Sequence, residues 1–86
     1  MFVHLKACVY ETGVFINAGN NVKDTFLAEN GPDECASHCA LTSGCVGWTF
    51  KISDSKCWLK SDDSEKSQAR NWITGTKSCG FRSKYS

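Results

Sequence analysis

Eighty-six residues with a formal net charge of +1 make one domain at most, and exclude electrostatic capture of nucleic acid as a main task. Six cysteines in so short a chain read as three disulfides formed in an oxidising compartment, because a core this small holds a thin stability margin without staples. No apolar run is long enough to cross a membrane, so membrane insertion is not expected.

Residues 1–7 lack the apolar stretch and small-residue cleavage site of a secretory signal. Disulfides nonetheless require the secretory route. The expectation is therefore a piece of a longer secreted protein, with Met1 an added start, 1–7 a leader or linker, 8–79 the domain and 80–86 a tail. Ala7-Cys8-Val9-Tyr10 and Gly13-Val14-Phe15-Ile16 are β-prone pieces parted by Glu11-Thr12, and Asn17 to Asn21 is turn chemistry. Asp24 to Ala28 forms a further short strand.

Pro32, Asp33 and Glu34 open a helix. Proline suits its first turn and the two acids suit the positive end of its dipole. The helix is predicted over Pro32 to Thr42, stopping at Ser43-Gly44. Cys35 and Cys39, four apart, leave it on one face. Val46 to Ile52 alternates with period two, putting Trp48, Phe50 and Ile52 on one side and Thr49 and Lys51 on the other. Ser53 to Lys56 turns the chain, and Cys57-Trp58-Leu59-Lys60 returns it as a hairpin. Ser61 to Arg70 reads as a charged, solvated loop, and Asn71 to Thr76 as a strand leading to Cys79. One helix over a small antiparallel sheet makes the fold class α+β. Trp48, Phe50, Leu59 and Trp72 are the candidate core.

Zinc is a poor match to the cysteines. A structural site wants close pairs such as C-x2-C, and here neither those nor a histidine clamp from His4 and His38 exists. Asp62, Asp63 and Glu65 lack the fuller oxygen ladder and turn glycine of a calcium loop, and read as a solvated segment. Neither a metal nor another cofactor is expected. With the thiols bridged there is no cysteine nucleophile, and His38 has no partners in the chain that would make it a catalytic base. The sequence reads as a binding module and not as an enzyme.

Cys35-x3-Cys39-x5-Cys45-Val46-Gly47-Trp48-Thr49-Phe50, then Cys57-Trp58-Leu59-Lys60, then Thr74-Gly75-Thr76-Lys77-Ser78-Cys79 together resemble a PAN/apple domain. The resemblance runs from Cys8 to Cys79. It is strongest toward the tandem apple domains of apicomplexan microneme adhesion proteins. It implies an antiparallel sheet of about five strands cradling one helix, and the bridges Cys8–Cys79, Cys35–Cys57 and Cys39–Cys45. The cysteine count alone leaves every other pairing open. So paired, Cys35–Cys57 would pin helix to hairpin, and Cys8–Cys79 would tie the ends together.

Period two also places Trp58 on the sheet face away from Cys57 and Leu59, together with Lys56, Lys60 and Lys51. An aromatic among cations suits a sugar ring with acidic substituents, or a protein hot spot. The plainer alternative is that a neighbouring strand or the Asn17–Lys23 loop covers Trp58. The functional expectation is an extracellular adhesion module, one unit of a tandem array, secreted by way of an organelle such as the microneme. Its partner would be a host-cell protein or carbohydrate. The alternative is an assembly module that mates with neighbouring apple domains or another member of a secreted complex, with a small inhibitor or toxin a distant third.

Overall fold

The computed structural model describes residues 10–77. Cys8, Cys79, His4 and the expected leader and tail lie outside the described residues. Within them the order is β1 (Glu11–Ile16), β2 (Phe26–Leu27), α1 (Pro32–Leu41), β3 (Gly47–Lys51), β4 (Lys56–Lys60) and β5 (Lys66–Thr76). The strands form one five-stranded antiparallel sheet, ordered β1-β5-β3-β4-β2. With α1 packed against it, the α+β expectation matches the architecture.

The helix begins where proline permits it. Pro32 occupies the first turn beside Asp33 and Glu34, and the Glu34 carboxylate reaches back to accept the Asn30 N–H at 2.9 Å. It ends at Leu41, one residue earlier than expected, because Thr42 is already extended (φ −106°, ψ 122°). The Thr42 hydroxyl donates to the His38 carbonyl at 2.6 Å, and Gly44 takes the left-handed conformation that follows (φ 87°). Cys35, Ala36 and Cys39 form the buried side of α1. Two alanine-sized or sulfur side chains per turn let the helix lie close on the sheet.

β3 and β4 provide the floor. Trp48 pairs with Leu59, and Phe50 with Cys57. All four are buried with Ala28, Cys35, Ala36, Cys39 and Cys45, and Tyr10, Val22, Phe26 and Ile73 seal the margin. Two disulfides lock this layer. Cys35–Cys57 joins α1 to β4 with Cα atoms 5.6 Å apart. Cys39–Cys45 closes the helix-to-β3 connection with Cα atoms 5.4 Å apart.

Five details depart from the sequence reading. Glu11 and Thr12 open β1 instead of parting two strands, and the break falls one residue later. There Gly13 (φ 75°) stands opposite residues 69–72 in a bulge between the Thr12–Ile73 and Val14–Gln68 pairs. Residues 66–70 are strand, not solvated loop, because β1 pairs with Lys66, Ser67 and Gln68. Ile52 falls in the hairpin turn and is exposed, since β3 stops at Lys51. Trp72 leaves the helix-side core to Ile73: it pairs with Lys51, not with Phe50. The expected Asp24–Ala28 strand shrinks to Phe26–Leu27.

The sheet edge beyond β4 is covered along its length. The Val22 N–H donates to the Leu59 carbonyl (2.9 Å) and the Ala28 N–H to the Ser55 carbonyl (2.7 Å). Between them the Thr25 hydroxyl donates to the Cys57 carbonyl (2.8 Å). The 20–28 segment thus reinforces a two-residue strand that could not hold an edge alone.

Candidate functional site

The sheet has a second face, turned away from α1, and parity decides what stands on it. Thr49 pairs with Trp58 and Thr74; Lys51 pairs with Lys56 and Trp72; Gly47 pairs with Lys60 and Thr76. Leu27 stands opposite Lys56 on the outermost strand. The sequence placed Trp58, Lys56, Lys60 and Lys51 on one face, and the register brings all four together there.

Trp58 is not alone. Its ring centroid is 5.1 Å from that of Trp72, tilted 41°, and Trp72 is in turn 5.1 Å from Phe15, tilted 35°. The three rings run as a row across the face, each half-buried. Two threonines stand on the same face. Thr49 and Thr74 are buried, with hydroxyls 2.9 Å apart. Thr74 donates onward to the Val14 carbonyl at 2.8 Å, so the Thr49 hydroxyl is the donor between them. The buried hydroxyls are thereby satisfied, which such burial requires. The indole of Trp72, which comes from β5 on the far side of β3, packs against that of Trp58.

Sequence reasoning missed Trp72, Phe15 and Leu27. A signal existed for Trp72: if Ile73 faces the helix, its neighbour must face away. Phe15 needed the register of β1, which no local pattern carries.

The cations on this face differ in their engagements. Lys51 Nζ lies 3.4 Å from the Asp54 carboxylate and 5.9 Å from the centre of the Trp72 ring. Lys60 Nζ donates to Asn21 Oδ1 at 3.1 Å. Lys56 is exposed and has no ion pair among the described residues. The face therefore offers aromatic surface bordered by ammonium groups.

Elsewhere the candidates resolve into structural roles. His38 stacks on Phe26 with centroids 4.5 Å apart and lies 3.9 Å from Glu34. Asp62 accepts the Ser64 N–H at 2.8 Å; that bond, with the Ser64 side chain, holds its carboxyl below the usual aspartate range. Among the described residues no group of His, Cys, Asp and Glu side chains is placed to hold a metal ion, and every described cysteine is in a disulfide.

A family model described as PAN domain matches residues 17–60. That interval takes in α1, both observed disulfides and the β3–β4 hairpin, half of the chain. The chain belongs to the PAN domain family. PAN domains are protein- or carbohydrate-binding modules and not enzymes. No curated protein matches the chain. In this PAN domain the matched segment supplies the helix-side core and Trp58 with its lysines, while Trp72 and Phe15 come from strands outside it. Disulfides of this kind suit an extracellular setting, and no described helix is long and apolar enough to cross a membrane.

Proposed function

We propose that this PAN domain is an adhesion module that recognises a host-cell glycan or protein through the face opposite its helix. It would act as one unit of a tandem array in a protein secreted through an organelle such as the microneme. The observation that carries the reading is the Phe15–Trp72–Trp58 row with Lys51, Lys56 and Lys60 at its border. Half-buried aromatic rings with cationic neighbours are well suited to a ligand that is apolar on one side and polar or charged on the other. A single small face of this kind supports modest affinity. Linking several modules makes later contacts intramolecular and can raise avidity by roughly a hundred- to ten-thousand-fold.

The test compares the 86-residue chain with a tandem of two copies on host cells, each with and without Trp58→Ala. Binding that rises steeply in the tandem and falls with the substitution supports the reading. Nanomolar binding by the monomer, unchanged in both comparisons, refutes it.

A second reading, assembly with a neighbouring domain, draws on the other side of the molecule. There Leu41 is 75% exposed at the end of α1, beside a hollow lined by Asn30, Asp33, Glu34, Ser37 and His38. Concentration-dependent self-association abolished by Leu41→Ser, with no binding on a glycan array, would favour it.

A further inference from the structure

The most unusual feature of the second face is a pair of like charges. Lys51 and Lys56 occupy directly opposed positions in the β3–β4 ladder. Residues so paired have Cβ atoms only about 4.5–5.5 Å apart, and like charges there repel. Sheets ordinarily avoid this arrangement. Asp54 partly relieves Lys51 at 3.4 Å, but it reaches from the turn and leaves Lys56 without an acid.

The pair is also bracketed by apolar groups. Reading across the sheet at that level, the sequence of side chains is Trp72, Lys51, Lys56, Leu27. Trp58 stands two residues along β4 from Lys56, its ring against that of Trp72. Apolar neighbours reduce the screening of charge by water, so an anion held between these ammonium groups gains more than it would on an open surface.

We infer that the ligand of this face is an acidic saccharide: one sugar ring lies on the Trp58–Trp72 pair while its sulfate or carboxylate sits between Lys51 and Lys56. The inference rests on the reading that this face is the binding surface, and narrows that reading to one ligand class. A protein partner would place an anchor side chain in a well-packed pocket. This face offers a shelf of strand residues standing side by side, on which a flat ring can stack.

The three tryptophans provide an internal control for the test. The Trp48 indole N–H is committed to the Thr76 carbonyl at 3.3 Å beneath the helix, whereas those of Trp58 and Trp72 belong to the second face. The 86-residue chain is titrated, with indole N–H resonances followed by NMR. The probes are a heparin-derived hexasaccharide, a hyaluronan hexasaccharide and, as the neutral comparison, maltohexaose. At low salt the acidic probes are expected to shift Trp58 and Trp72 and to leave Trp48 in place; maltohexaose shifts none of them. Hyaluronan carries carboxylates alone and the heparin fragment carries sulfates as well, so a response to the heparin fragment only assigns the contact to sulfate. The double substitution Lys51→Gln with Lys56→Gln is expected to weaken acidic binding at least tenfold while amide dispersion is retained, and added salt should weaken it in the unsubstituted chain.

Acidic binding that survives the double substitution overturns the inference. So does maltohexaose moving the same two indoles as strongly. If neither acidic probe moves Trp58 or Trp72 but host-cell binding still falls with Trp58→Ala, the adhesion reading stands and the acidic-saccharide inference falls. If host-cell binding is indifferent to Trp58 as well, both fall together.

Discussion

Gly75→Ala should be among the most damaging small substitutions in this domain. Gly75 pairs with Trp48 on the helix side of the sheet. A Cβ built there would come within 2.4 Å of Trp48 Cζ2, 2.7 Å of Cε2 and 3.0 Å of Nε1. Those contacts are with a rigid ring, not with the end of a flexible chain. Nor can the ring withdraw: Trp48 is fully buried, meets Tyr10 edge-on at 5.0 Å and donates its N–H to Thr76. Overpacking a close-packed core costs roughly 1–3 kcal/mol and occasionally more, and three contacts on an immovable ring place this case near ~3 kcal/mol. In a domain of this size that is a fall in Tm of about 12–24 °C. Chemical denaturation with disulfides intact measures it. Because the clash belongs to the indole, Trp48→Phe in the same chain should recover part of the loss, which a double-mutant cycle would register as coupling. A Gly75→Ala protein within ~0.5 kcal/mol of the parent would mean that Trp48 does not lie over Gly75.

Other outcomes follow from the same packing. Trp48→Ala should cost about 3–5 kcal/mol as a core truncation, and Trp58→Ala clearly less, since it is half-buried; the reverse order in denaturant melts would invert the assignment of faces. Replacing both members of Cys35–Cys57, which spans 22 residues, should cost about 3.4 kcal/mol, against about 2.2 kcal/mol for Cys39–Cys45, which spans 6, in the chain-entropy picture. Equal losses would point to native-state contacts and not loop closure as the dominant effect. The Asp62 carboxyl, held in its charged form by the Ser64 N–H and then the Ser64 side chain, should titrate below the usual aspartate range in an NMR pH series. A depressed folded pKa stabilises above the ordinary aspartate range and is lost as pH falls through it, so Asp62→Asn should flatten stability against pH in that acid window alone.

The parts of this fold that could be read from the sequence are those fixed by neighbours in the chain. Pro32 and the two acids announce α1, and the 46–60 hairpin carries its own alternation and turn. Trp48, Phe50 and Leu59 fall where period two puts them. Residues 66–70 were hidden because their alternation is chemically faint: Ser67 and Ala69 are partly buried between exposed Lys66, Gln68 and Arg70. What makes them a strand is β1, some fifty residues away, including the Lys66–Glu11 ion pair at 3.0 Å. Trp72 misled for a related reason. A large aromatic invites assignment to the core, yet the space beneath the helix is already filled by Trp48. The strand that crosses there presents Ile73 and a glycine, and sends its own indole to the other side. The four face residues named from β3 and β4 were legible; the ring that completes the row was not.

Strand β4 has a consequence for how such a domain can change. Its five residues divide by parity: Cys57 and Leu59 are buried against α1, while Lys56, Trp58 and Lys60 face outward. The inward pair is bound by a covalent bridge and by contact with Trp48, and tolerates almost nothing. The outward three stand on the sheet face away from helix and bridge. Variation confined to positions 56, 58 and 60, with 51 and 72 beside them, would therefore alter what the surface meets and leave the folding determinants in place. A library randomised at those five sites should yield mostly folded members with divergent surfaces, which makes this hairpin a scaffold on which new recognition can be selected.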